Sequence, residues 1–157
     1  MRNSNSKFSF TLIELVVCLA IVGIISAVTL PYCWGAYKSA EAKTTTRIVA
    51  SILRSTKEMA IAQGKKYEII FTASNNDLDI EVYTNLSCPN PLKVGKTEKI
   101  SLSDSYEFRV TFHNDKALFT SFGTSNGGSV YITDTFTNKG YRLSVLSTSG
   151  RVKVAQF

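Results

Sequence analysis

No charged residue occurs between Leu15 and Tyr37, and Leu15 to Leu30 reads LVVCLAIVGIISAVTL. This run constrains the chain more than any other feature. A helix rises about 1.5 Å per residue and the hydrocarbon core of a bilayer is about 30 Å thick, so about 20 apolar residues cross it. Phe10 to Leu30 has that length. A cleavable secretory signal carries an apolar core of only about 7–15 residues before a small-residue cut site. The present run is longer, and Pro31-Tyr32-Cys33-Trp34 is a poor site of that kind. A plain single-pass anchor accounts for the length but not for Glu14, which lies inside the apolar entrance. An ionisable side chain at the centre of a span costs about 2.5–3.5 kcal/mol, less near an end. The apolar face holds no cation for it, so its partner is a headgroup, water or another chain.

Behind this segment, a chain of 157 residues has room for one ordinary domain. With 44% hydrophobic and 19% charged residues it is neither disordered nor membrane-like throughout. One histidine and three cysteines exclude a zinc-finger array and a disulfide-dense miniprotein. The formal charge of +6 permits an acidic partner without requiring one. That charge is segregated. Tyr67 to Asp134 holds nine acids against five bases, whereas Thr135 to Phe157 holds Lys139, Arg142, Arg151 and Lys153 with no acid.

Ser39 to Ala62 contains no glycine or proline, and Ile48, Ile52, Thr56, Met59 and Gln63 recur at helical spacing. An amphipathic helix over about 38–63 is expected, with a kink at Pro31 and Gly64 as its C-terminal cap. The remainder reads as strands: Tyr67–Thr72, Leu78–Thr84, Tyr106–Phe112, Val130–Thr135, Tyr141–Leu146 and Arg151–Ala155. Asn- and Gly-rich turns separate them. The expected class is α+β, one long N-terminal helix packed on a meandering antiparallel sheet.

The last two strands fix their own register. With Ser147 to Gly150 as the turn, Val145 faces Val152, Ser144 faces Lys153, Leu143 faces Val154 and Arg142 faces Ala155. Side chains alternate faces along a strand. Leu143, Val145, Val152 and Val154 then share one face, and Arg142, Arg151 and Lys153 the other. A slip of one residue would bury cations. The basic strip suits an edge that repels other edges, with phosphate contact as the alternative. Gly95-Lys96-Thr97 imitates the end of a phosphate-binding loop, but the earlier glycine is missing and no helix follows. His113 stands alone in a turn with no nucleophile motif beside it. No cofactor, metal site or catalytic residue is implied.

Lys7-Phe8-Ser9-Phe10-Thr11-Leu12-Ile13-Glu14-Leu15 resembles the leader and cleavage region of type IV pilins and type II secretion pseudopilins. The resemblance implies a leader over 1–9, cut between Ser9 and Phe10 by a prepilin peptidase, with the new Phe10 amine methylated. The match departs at Ser9, where the family carries Gly, which leaves the rate of cleavage open. It implies a transmembrane and filament-core helix over 10–37 and a periplasmic domain over 38–157. It also implies Glu14 pairing with the Phe10 amine of a neighbouring subunit, two charges that offset each other's desolvation. The implied place is the bacterial inner membrane, single-pass, and then a filament. The implied partners are other pilins or pseudopilins, the peptidase, an assembly ATPase and a platform protein. The basic residues Lys38, Lys43, Arg47, Arg54 and Lys57 beyond the span favour the opposite orientation, but long domains translocate largely regardless of charge.

Arg54–Gln63, Gly127-Gly128-Ser129-Val130-Tyr131 and Ser149-Gly150-Arg151-Val152-Lys153-Val154 further resemble the GspH/FimT branch, minor subunits of secretion pseudopili or of type IV pili. Some FimT members bind DNA through Gly-Arg-x-Arg. Here Gly150-Arg151-Val152-Lys153 keeps the charge but loses one bidentate fork. Arg142, Arg151 and Lys153 are the candidate DNA contacts, without sequence specificity. An exported body would carry Cys33 and Cys88 into an oxidising compartment, which allows a disulfide. Their positions, one beside the span and one in a loop, argue against close approach. Three readings follow: a secretion pseudopilin, a DNA-contacting minor pilin, and a monomeric membrane-anchored binding module.

Overall fold

The computed structural model describes residues 11–84, 86–87 and 89–157. The chain divides into two compact units at Lys38 and Ser39. A helix, α1, is assigned over Leu12–Gln63 and contributes to both. The helical assignment includes residues 30–32, and the kink expected at Pro31 lies outside the described side chains.

In the first unit, Thr11 precedes the first helical residue and its Oγ1 accepts a hydrogen bond from the Glu14 N–H at 3.3 Å. That is the usual threonine N-cap, satisfying one of the donors a helix start leaves free. The segment Leu12–Thr29 has a mean hydropathy of 2.6 and none of it is buried. Ser26 and Thr29 return their hydroxyls to the carbonyls of Val22 and Ile25, both at 2.8 Å, which hides these polar groups within the helix.

The second unit begins with the remainder of α1. Its buried stripe is Ala42, Thr45, Thr46, Val49, Ala50, Leu53, Thr56 and Ala60. Of the stripe expected, Thr56 is buried and Ile52 and Met59 are half-buried against the core, whereas Ile48 is 43% exposed and Gln63 is also exposed. Small residues hold the inner face because they admit close packing. Thr46 satisfies its hydroxyl on the Ala42 carbonyl at 2.7 Å. The helix ends at Gly64 (φ 62°) as expected. The Gly64 N–H donates to the Ile61 carbonyl and the Lys65 N–H to the Ala60 carbonyl, the paired bonds of a Schellman cap.

Among the described residues nine strands follow: β1 (Tyr67–Ser74), β2 (Asp77–Thr84), β3 (Leu92–Lys93), β4 (Glu98–Ser101), β5 (Tyr106–Val110), β6 (Lys116–Phe119), β7 (Gly128–Asp134), β8 (Gly140–Val145) and β9 (Val152–Gln156). They form two antiparallel sheets rather than the single meander expected. The first has the order β3-β2-β1-β6, with β4 also paired to β2; the second is β5-β7-β8-β9. The chain leaves the first sheet after β4, enters the second at β5, returns for β6, and ends in the second. Short β3 and β4 share the outer edge of β2, so their weak patterns were silent in the sequence.

One core holds helix and sheets together. It joins Val49 and Leu53 of α1, Tyr67, Ile69, Phe71, Leu78 and Ile80 of the first sheet, and Phe108, Val130, Ile132 and Leu143 of the second. Phe71 and Phe112 stack with centroids 5.5 Å apart. The Phe108 N–H donates to the Asn75 carbonyl at 2.9 Å, tying β5 to the β1–β2 turn.

Candidate assembly helix and basic sheet face

The apolar entrance of α1 presents Leu12, Ile13, Leu15, Val16, Val17 and Leu19 as exposed side chains, and Glu14 among them is exposed as well. Glu14 is an acid in the first helical turn, where the amide dipoles favour negative charge. Ser9 and Phe10, the expected scissile pair, lie outside the described residues. Cys18 and Cys33 are exposed free thiols, and Cys88 lies outside the described residues.

The β8–β9 hairpin has the register read from the sequence: Val145 opposite Val152, Ser144 opposite Lys153, Leu143 opposite Val154 and Arg142 opposite Ala155. Leu143, Val145 and Val152 are buried as expected. Val154 points to the same side but is 45% exposed, because β9 is the edge strand. Arg142, Arg151 and Lys153 lie on the opposite face and are all exposed. Among the described residues none of the three is ion-paired, unlike Lys93 with Glu81, Lys99 with Asp79 and Lys116 with Glu68.

The turn before Arg151 is held from two sides. The Lys57 ammonium donates to the Ser149 carbonyl at 2.8 Å. Gly150 takes φ 55°, and a Cβ there would stand 2.4 Å from the Gly123 carbonyl oxygen. Only glycine allows this approach, so the Gly-Arg pair has a packing reason as well as a charge.

The same outer face carries residues the sequence reading did not assign. Arg109 on β5 is opposite Tyr131 on β7, and Tyr131 is opposite Arg142 on β8. One row therefore reads Arg109, Tyr131, Arg142, Ala155 across four strands. Phe157 pairs with Gly140 through both backbone bonds, each 3.0 Å. Gly140 presents no side chain, and the Phe157 ring meets Tyr131 edge-on at 6.1 Å. A concavity of about 340 Å³ opens beside this pair, lined by Arg109, Thr111, Tyr131, Thr133, Asn138 and Phe157. The alternation of Tyr106, Phe108 and Val110 with Glu107 and Arg109 was the signal that placed Arg109 outward.

A separate polar cluster pins the loop after β2. Glu81 accepts from Lys93 at 2.5 Å, from Thr97 at 2.8 Å and from Tyr83 at 2.9 Å. These bonds, Lys93 first, lower the Glu81 pKa from an ordinary 4.5 to about 2, and the same bond raises that of Lys93. Thr97, part of the apparent phosphate loop, is spent in this clip. His113 is exposed in a short 3-10 turn. No cluster of metal-binding side chains occurs among the described residues.

Comparison with known proteins draws these features together. Residues 4–30 match the family described as the prokaryotic N-terminal methylation motif. A fimbrial protein of Pseudomonas aeruginosa is 30% identical over 128 residues, covering 77% of this chain and 71% of the relative. The fold is similar to that of the minor pseudopilin EpsH from the type 2 secretion system of Vibrio cholerae. The TM-score is 0.59 at 14% identity, with 74% of this chain and 97% of that chain covered. It is similar also to the type IV minor pilin FimU of Pseudomonas aeruginosa, with a TM-score of 0.57 at 18% identity, covering 75% and 90%.

Proposed function

Because the chain belongs to the type IV pilin family, we propose that it is a minor pilin or pseudopilin. In this reading a prepilin peptidase cuts it between Ser9 and Phe10. It waits in the inner membrane with residues 38–157 in the periplasm, and an assembly ATPase and platform protein move it into a filament. The observation that carries the reading is the wholly exposed apolar stretch Leu12–Thr29 with Glu14 at its entrance. Such a surface needs lipid before assembly and sister helices after it. Glu14 then sets the stagger by pairing with the Phe10 amine of a neighbour. Low dielectric between packed helices strengthens that attraction, and each charge compensates the other's loss of water.

The experiment is Glu14→Gln in the full chain. The variant should still resist carbonate extraction from membranes, yet be lost from the sheared filament fraction. Normal filament incorporation would favour a monomeric anchored module instead.

A second reading has its own observation, the unpaired cations Arg142, Arg151 and Lys153 on one exposed face. They suit non-specific contact with the phosphates of DNA, which carry no sequence information. Replacing Arg151 and Lys153 with Gln should reduce DNA retention at low salt. Unchanged retention would reduce the hairpin to a protected sheet edge.

A further inference from the structure

We propose that the outer face of the second sheet binds single-stranded DNA in preference to duplex, with bases stacking on Tyr131 and Phe157 and with Arg109 joining Arg142 in holding the backbone. The proposal rests on the DNA-contacting reading above and adds residues and a strand type to it.

Three observations carry it. First, the face is an open four-stranded antiparallel sheet whose other side is packed in the core. Second, its cations span the whole width, from Arg109 on β5 through Arg142 on β8 to Lys153 on β9, and among the described residues none is paired with an acid. Glu107 is an acid on this face, opposite Thr133 in the row that continues to Gly140 and Phe157, and among the described residues of the four strands no other outward position is acidic. Third, the aromatic pair lies among these cations rather than at a separate place. Tyr131 sits between Arg109 and Arg142 in one row, and Phe157 is 49% exposed. A polyanion neutralises the cations, but phosphate alone leaves the aromatic rings without a use. Duplex DNA keeps its base faces inside the stack and offers a flat sheet only phosphates. A single strand offers both phosphates and base faces, and stacking on aromatic side chains is tolerant of sequence. The concavity of about 340 Å³ beside Tyr131 and Phe157 gives one base a seat, with the hydroxyls of Thr111 and Thr133 and the Asn138 amide at its wall.

The test uses the full chain in detergent micelles at about 50 mM salt. Fluorescence anisotropy follows a labelled oligo(dT) of about 16 nucleotides, an abasic oligomer of the same length and the matching duplex. The wild type should bind oligo(dT) at least about 5-fold more tightly than either of the others, the low end of one stacked base. Tyr131→Leu should remove most of that preference while changing duplex affinity less than about 2-fold, and Phe157→Leu should act in the same direction. Arg109→Gln should weaken oligo(dT) binding. Equal affinity for the three probes, or a preference that survives both aromatic variants, overturns the single-strand proposal and leaves non-specific DNA contact standing. No binding of any probe by the wild type removes both. Displacement of oligo(dT) by poly-glutamate as readily as by unlabelled oligo(dT) would mark the face as a surface for an acidic protein and overturn the proposal.

Discussion

The Lys57 ammonium reaches the Ser149 carbonyl at 2.8 Å across 92 residues of sequence. That bond fastens the hairpin turn to the helix, and Gly150 completes the junction by lying against the Gly123 carbonyl. The hairpin cations are thus mounted on a fixed base rather than on a loose tail. Gly150→Ala should lower stability by about 1–3 kcal/mol, because it strains a positive φ and drives a methyl into a carbonyl oxygen. Lys57→Met should cost less than about 1 kcal/mol, since the bond is exposed. Thermal unfolding of both variants in micelles checks the order.

Thr56 is fully buried and its hydroxyl lacks a partner among the described residues. Thr56→Val removes the stranded oxygen while keeping the branched shape. Stability should rise by about 1 kcal/mol, measurable as a higher denaturant midpoint at an unchanged slope.

Glu81 should make stability depend on pH in acid. Its pKa is about 2 when folded, below its ordinary 4.5. A depressed carboxyl adds stability above the unfolded value and loses it as the folded pKa is approached. The loss should therefore run from about pH 4.5 down to about pH 2. Glu81→Gln should flatten that part of the profile, read from unfolding midpoints at successive pH values.

If the basic face contacts phosphates, affinity should fall with salt at a log–log slope near −0.9 per contact. Replacing Arg151 and Lys153 with Gln should make the slope shallower by about 2. Duplex binding across a salt series measures this directly.

Much of this was legible in the sequence because periodicity and charge agreed. The β8–β9 register was forced: any slip would have put Arg142 or Lys153 where Leu143 and Val145 are buried. Gly64 announced the helix end for a backbone reason that does not depend on the rest of the fold. On α1 the helical spacing brings Thr56, Ile52 and Met59 against the core, but it also includes Ile48, which is outside, and omits Ala42, Ala50 and Ala60, which are inside although small side chains give little hydropathy signal. β6 was missed because four residues, Lys116–Phe119, carry too little alternation to stand out after the left-handed turn at Asn114 and Asp115. The division into two sheets depends on where the chain crosses after β4 and β5, which no local pattern encodes. Arg109 could be read as outward-facing, but its place beside Tyr131 and Arg142 needed the strand order 5-7-8-9.

The central claim is that this polypeptide matures by losing its leader and then packs its apolar helix among sister helices. Intact-mass analysis of the chain recovered from sheared filaments tests it most directly. The account predicts a mature species beginning at Phe10 and carrying one added methyl group at that amine. Filament-incorporated chain that still retains Met1 to Ser9 would contradict it.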